Sequence, residues 1–529
     1  MPSSGGVSEW IFRFVQEPFR SVLLASARMN IRSSTDRRLR LVLALVLFAV
    51  YGAVSVGRHL RMETSGFDLG IFEEAVRGYA GLGRPLVALK GADYNLLGDH
   101  FSPILALLAP VYRLFPGAVT LLLAQAALLA ASTLPVTRLA MRTVGRWGGA
   151  AIGLAYGLSW GLWATLAFDF HEVAFAVPLA AFAVEALVCD RAVAAMCWAL
   201  PLLLVKEDQG LLVVGIGACL FVRGHRRLGA GLAVAAVMAM ALAVLVLVPL
   251  ANPEGVYTYA ESGEWTGGNP VARLLLPGDK WTLAAVLLAP TLLLALCSPL
   301  CLLLVLPLAA RFWSLNPGYW DTLHHYNAVL MPVLFLAFVD GLRRLGHAPG
   351  RGALVEKPSA RPARYDGAGV PSPSGGGGAV TTLTRPVRTA APGTRSRSAI
   401  AVGLAPVGAL VVAAAMLPVP SLAAPTPQVA VVKRVLAAIP DGVTVAAANH
   451  LAPQLTERCT VSLFPYLTPP GGAAPWNRPT ADWVAALDDP DDFPVPAAEQ
   501  KQFREALPAM GYRTVAMGGG VTVYRWAAG

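Results

Sequence analysis

Twelve predominantly apolar runs follow one another along the chain, at 41–57, 101–115, 118–137, 148–168, 173–189, 192–205, 210–222, 228–250, 281–297, 299–315, 326–339 and 399–417. Few of them alternate apolar with polar residues, as strands of a membrane barrel would. Continuous apolar runs approaching 20 residues predict helices that cross a lipid bilayer, where every backbone polar group must be satisfied within its own segment. Composition agrees: hydrophobic residues make up 55% of the 529 and charged residues 14%, against about 25% charged in a soluble chain. An ordinary cytosolic enzyme, a disordered chain and a disulfide-stapled secreted domain are excluded. The six cysteines read as small buried apolar residues, because no second pair or nearby His completes a metal set.

Charge sets the direction of threading. Residues 1–40 hold seven Arg against Glu9, Glu17 and Asp36, directly before the first apolar run. They read as the basic cytoplasmic flank of an uncleaved signal-anchor. If 101–115 spans the membrane, Arg138, Arg142, Arg146 and the whole stretch 341–398 fall outside, against the positive-inside rule. If that short, Pro-bounded segment only dips into the membrane, every Arg cluster falls inside. The expected fold is therefore an all-α polytopic membrane domain of about eleven spans plus a dipping segment, N-terminus inside, with a small C-terminal α/β domain outside. The net charge of +10 then reports topology and anionic-lipid contact rather than nucleic acid.

The expected domains are 1–40; a membrane domain over 41–340 with a large first outer loop at 58–117; a basic linker over 341–398; a last span at 399–419; and an outer domain over 420–529. The linker has ten Lys/Arg against Glu356 and Asp366, with a Gly375–Gly378 run, and such a composition predicts disorder. In the outer domain Val443–Ala448 and Thr460–Phe464 predict strands flanking a short helix near His450–Arg458. Tyr512–Met517 and Val521–Trp526 predict a hairpin around three glycines.

With that threading, the candidate chemistry lands on the outer face. Leu69, Phe72, Val76 and Tyr79 mark one face of a helix starting at Asp68, predicted to lie flat on the membrane surface. Asp68 is its N-cap, a catalytic carboxylate, or both. Asp99 and His100 begin the dipping segment. Asp169, His171 and Glu172 follow an uncharged run and form a candidate metal or phosphate–metal group, without a specific metal-ligand spacing. Lys206, Glu207 and Asp208 separate runs of only fourteen and thirteen residues, so they sit at some depth, where ionisable groups face a polar cavity or fix helix packing. His324, His325 and Tyr326 are substrate contacts or interface anchors. No GxGxxG, Walker, HExxH or GxSxG pattern is present.

Phe67-Asp68-Leu69-Gly70-Ile71-Phe72, Asn95 to Pro103, Phe168 to Glu172, Lys206 to Gly210 and Tyr326-Asn327-Ala328-Val329 together resemble an uncharacterised bacterial membrane family, domain of unknown function 2079. The resemblance covers about 41–340 and resumes around 439–465. The wider architecture is similar to GT-C glycosyltransferases, polytopic enzymes that take sugars from lipid phosphates. That resemblance implies a polyprenyl-phosphate-linked sugar as partner and inverting transfer with Asp68 as general base. It also implies a divalent metal, Mg or Mn, at the second acidic loop, although that loop reads Asp-Phe-His-Glu instead of Asp-X-Asp. Asp99, His100, Lys206–Asp208 and His324–Tyr326 would bind substrate. The alternatives are a transporter or flippase for a lipid-linked or anionic solute, favoured by short broken helices with buried charges, and a non-catalytic assembly protein.

Overall fold

A computed structural model describes residues 34–261, 269–346, 392–417, 424–470 and 480–527. The middle of the basic linker lies outside them, and helices reach into its two ends, at Leu330–Gly346 and Pro392–Ala415.

Among the described residues four helices are long and apolar enough to cross a membrane: Ser34–Leu60, Ala118–Val144, Arg146–Ala167 and Arg226–Ala251. Shorter apolar helices include Val173–Val188, Ala192–Leu204 and Pro299–Trp313. Ala118–Val144 packs against Ser34–Leu60, Arg146–Gly157 and Val173–Val188 at the centre of the bundle. Tyr51 is fully buried there and its hydroxyl donates to the Gly157 carbonyl at 2.5 Å.

The stretch 281–315 departs from expectation. The first of its two expected helices is broken into Asp279–Leu288, Ala289–Thr291 and Leu294–Cys297, while the second, Pro299–Trp313, begins as 3-10 and continues as α. Leu292 and Leu293 lie within the broken part with φ of 52° and 61°. Pro290 and Pro299 each lack a donor for a continuing helix. The irregular backbone is covered by protein: a Cβ at Gly341 would sit 2.5 Å from the Leu294 carbonyl oxygen. Such breaks are tolerated at membrane depth only where buried or facing a cavity. The 101–115 segment is a 3-10 stretch, Pro103–Leu108, continued by Ala109–Leu114. Its rise of about 21 Å falls short of a 30 Å core.

The C-terminal domain is a five-stranded sheet in the order β2-β1-β3-β5-β4. The strands are β1 Thr444–Ala447, β2 Thr460–Leu463, β3 Trp483–Leu487, β4 Tyr512–Gly518 and β5 Val521–Trp526. β1 pairs parallel with β2 and β3, and β5 pairs antiparallel with β3 and β4. Between β1 and β2 the expected helix is a single 3-10 turn, Ala452–Gln454.

The amphipathic segment forms as a π-turn, Gly66–Gly70, running into the helix Ile71–Ala80. Its polar face is not solvated. Glu73 and Glu74 are buried because the C-terminal domain lies on them. Glu73 accepts from the Tyr112 hydroxyl at 3.0 Å and the Thr456 hydroxyl at 2.5 Å. Glu74 accepts from the Leu89 and Val461 amides at 3.2 and 3.1 Å. Arg77 donates to the carbonyls of Thr456 and Cys459. Gly66 is required at this junction: its N–H reaches the Asn449 carbonyl at 2.7 Å, and a Cβ would meet Ala452 at 2.5 Å. The helix that positions Asp68 is thus gripped from above by a domain nearly 400 residues later in the chain.

Candidate functional site

Asp68 stands in the π-turn, its side chain 25% exposed. Ser65 Oγ donates to Oδ2 at 3.1 Å, and His171 Nε2 meets Oδ1 at 3.1 Å. That contact assigns the His171 proton to Nε2. His171 stacks on His325 with ring centroids 3.7 Å apart, inside a ring wall that includes Phe72 and Phe168. The Nδ1 atoms of both histidines are buried without a hydrogen-bond partner. Burial first, and the neighbouring His171 and Lys206 next, hold the His325 pKa well below its usual value.

Asp169 follows the Trp160–Ala167 helix with φ of 62°, a left-handed conformation that Asp tolerates better than most residues. This turn spreads the acidic loop over different partners. Asp169 accepts from the Ser65 amide at 2.8 Å and lies 3.5 Å from Arg58. Gln125 clamps the loop, donating to the Asp169 carbonyl at 2.5 Å and accepting from the His171 amide at 3.1 Å. Burial, reinforced by the Asp68 charge, pushes the Asp169 pKa up to about 6 against the pull of Arg58. Glu172 turns to Lys206 at 3.4 Å.

Asp169, His171 and Glu172 therefore engage three separate partners. Among the described residues no group of three His, Cys, Asp or Glu side chains is arranged to hold a metal ion. As placed, these three side chains do not form a donor set for one divalent cation.

A second cluster adjoins the first through Lys206. Glu207 accepts from the Phe101 amide at 2.9 Å and the Tyr257 hydroxyl at 3.0 Å, and meets His100 Nδ1 at 2.7 Å. Asp99 pairs with Lys90 at 2.6 Å and accepts from Tyr259 at 3.2 Å. Burial opposes the Asp99 charge, but Lys90, His100 and Lys206 outweigh it and hold the pKa below its usual value. Gly98 brings this loop onto the membrane bundle: a Cβ there would sit 2.5 Å from the Asn252 backbone. A cavity of about 100 Å³ opens beside the cluster, lined by Lys206, Asp208, Tyr257, Tyr259 and Arg311 among others. Asp208 is exposed and lines this cavity. Tyr326 carries Arg311 over its ring at 5.8 Å. His324 turns away to Asp321 at 2.7 Å.

The structure thus brings Asp68, Asp99, His100, Asp169, His171, Glu172, Lys206, Glu207, Asp208, His325 and Tyr326 into one continuous polar region, with His324 at its rim. Arg58, Lys90, Gln125, Tyr257, Tyr259 and Arg311 join them without having been singled out in the sequence. Two carried a signal. Gln125 is an amide inside an apolar run, and Arg311 is the single charged residue of 281–315.

A family model described as "Predicted membrane protein (DUF2079)" matches residues 58–355, more than half of the chain. No curated protein matches the sequence. Among solved structures, ArnT from Cupriavidus metallidurans, crystallised with undecaprenyl phosphate, is similar over 92% of this chain and 98% of its own, at 14% identity and a TM-score of 0.44. The match over 58–355 takes in both polar clusters and the helices that carry them, and on it the chain belongs to the DUF2079 family of predicted membrane proteins.

Proposed function

We propose that this membrane protein transfers a glycosyl group from a lipid-phosphate donor, with Asp68 as general base. The observation that carries the reading is the Asp68–His171 contact. It is a partly exposed carboxylate held from one side by a buried imidazole and from the other by Ser65; Glu172, next to that imidazole in sequence, pairs with Lys206, which with Arg311 lines the neighbouring cavity.

Asp68 takes the proton of the acceptor hydroxyl while its oxygen attacks the anomeric carbon. The new C–O bond forms as the bond from that carbon to the phosphate oxygen breaks, and the lipid phosphate leaves with the electron pair. His171, donating to Oδ1, fixes the carboxylate orientation. Lys206 and Arg311 meet the charge that develops on the phosphate, a fixed electrostatic environment in place of water. The site lies on the outer face in this reading, with the N-terminus inside, eleven spans and the C-terminal domain outside. Arginine pairs at the other end of the bundle support that orientation: Arg146 with Asp36, and Arg138 and Arg191 with Glu185.

The test is sugar transfer from polyprenyl-phosphate hexoses extracted from the host membrane, with the full chain in nanodiscs. Asp68→Asn should lose at least about 100-fold in turnover, the low end for a general base, at unchanged expression and melting temperature. Wild-type turnover in the Asn variant would overturn the assignment.

A further inference from the structure

At the end of the bundle opposite the site, a groove of about 880 Å³ runs between the Gly210–Val222 helix and the 299–306 segment. The helix starts beside the cavity residue Gln209 and ends about 20 Å away by its rise. Gly215, Ala218, Val222, Leu302 and Leu306 line the groove wall. Val222 is 84% exposed and Leu302 67% exposed, so the groove is open along an apolar wall. The mouth carries Arg223, Arg343 and Arg344.

These arginines are anchored to the bundle. Arg223 donates to the Leu187 carbonyl. Arg343 and Arg344 both reach the buried Asp340 at 2.7 Å, yet their side chains remain 42% and 45% exposed. Asp190 also lines the mouth, so against Asp340 and Asp190 the three arginines leave the rim with one positive charge in excess. The linker that follows adds eight further Lys/Arg before residue 399 against two acids. An apolar slot ending in a cationic rim matches an amphiphile with acyl chains and an anionic head.

We infer that this groove is a binding site for an anionic glycerophospholipid of the adjacent leaflet. Its acyl chain lies along Ala218, Val222 and Leu302, and its phosphate meets Arg223 and the outer faces of Arg343 and Arg344. Lipid bound there would fill the gap beside the broken 281–315 region and steady it.

The experiment exchanges the purified full chain into nanodiscs of equal phosphatidylglycerol and phosphatidylcholine, then reads retained lipids by native mass spectrometry. The wild type should enrich phosphatidylglycerol by about fivefold or more, the effect of one well-placed arginine near a lipid phosphate. Ala218→Trp fills the slot and should abolish the enrichment. Arg223→Gln should lower it while Asp340 keeps both of its partners. If Ala218→Trp does not fold, Val222→Trp at the exposed wall serves instead. Equal retention of the two lipids by the wild type would overturn the inference, as would enrichment unchanged in folded groove variants. Neither result bears on Asp68.

Discussion

His325 lies face to face with His171, ring centroids 3.7 Å apart and planes 21° from parallel. Two imidazoles so close repel if both are charged, and burial keeps His325 neutral. His325 then serves as a flat wall that holds His171 against Asp68. His325→Phe should preserve the wall and most of the turnover. His325→Ala should cost about 10- to 100-fold in kcat with little change in KM, since misplacing a reactive group by about 1 Å costs up to that order. Steady-state kinetics of both variants checks this, and equal losses would reject the wall.

Asp169 should set the acid limb of the pH–activity profile. With its pKa pushed up to about 6, it loses its charge below that pH and releases Arg58 and the Ser65 amide. Asp169→Asn holds the neutral form at every pH. Its activity at pH 8 should match the depressed level of the wild type near pH 5, and the limb near 6 should vanish from kcat/KM. Full activity of the variant at pH 8 would show that the charge is irrelevant.

Lys206 and Glu172 form a buried pair at 3.4 Å. Lys206→Met leaves Glu172 uncompensated, a loss of about 3–5 kcal/mol for a buried pair broken on one side. Lys206→Met with Glu172→Gln should recover more than half of that stability in melting experiments. Turnover should stay low in both, because the phosphate keeps Arg311 but still lacks the Lys206 cation. Recovered turnover in the double variant would make the pair structural only.

Glu73 gives a stability signature at the grip between helix and C-terminal domain. Burial raises its pKa from 4.5 to about 7, against the hydroxyls of Thr456 and Tyr112. A carboxyl raised on folding binds its proton more tightly in the folded state. Its stabilising contribution is fully present below about pH 4.5 and is lost as pH rises to about 7. Glu73→Gln, whose hydroxyl partners can rotate to suit an amide, should flatten that part of the melting-temperature profile and raise stability at pH 8. An unchanged slope between pH 4.5 and 7 would mean that Glu73 does not titrate there.

Period and burial were readable directly from the sequence. The uncharged runs near 41–57 and 228–250 have no fold open to them but membrane-length helices, and Ser34–Leu60 and Arg226–Ala251 are those helices. The Val443–Ala448 and Thr460–Phe464 runs and the glycine-centred hairpin are strands β1, β2, β4 and β5. β3 was missed because Trp483-Val484-Ala485-Ala486-Leu487 is a short continuous apolar run, which periodicity assigns to neither helix nor strand. The acidic and histidine motifs were visible as ionisable groups flanking apolar runs, where their cost demands a reason.

What required the tertiary structure was which group meets which. Glu74 and Val461 are 387 residues apart and bonded at 3.1 Å. No local pattern encodes that contact, so the Ile71–Ala80 helix, expected to lie flat on the membrane surface, is the seat of the C-terminal domain. The unbroken hydrophobicity of 281–315 likewise hides its breaks, because apolar character reports burial while the left-handed turn at Leu292–Leu293 is imposed by neighbours. Asp169, His171 and Glu172 stand together in sequence and read as one ligand set. A single positive φ sends them to Arg58, Asp68 and Lys206. Sequence proximity determines which groups are available at a surface, but partners are chosen by distance in space, where the cost of a buried charge is settled by whatever the rest of the chain brings within about 4 Å.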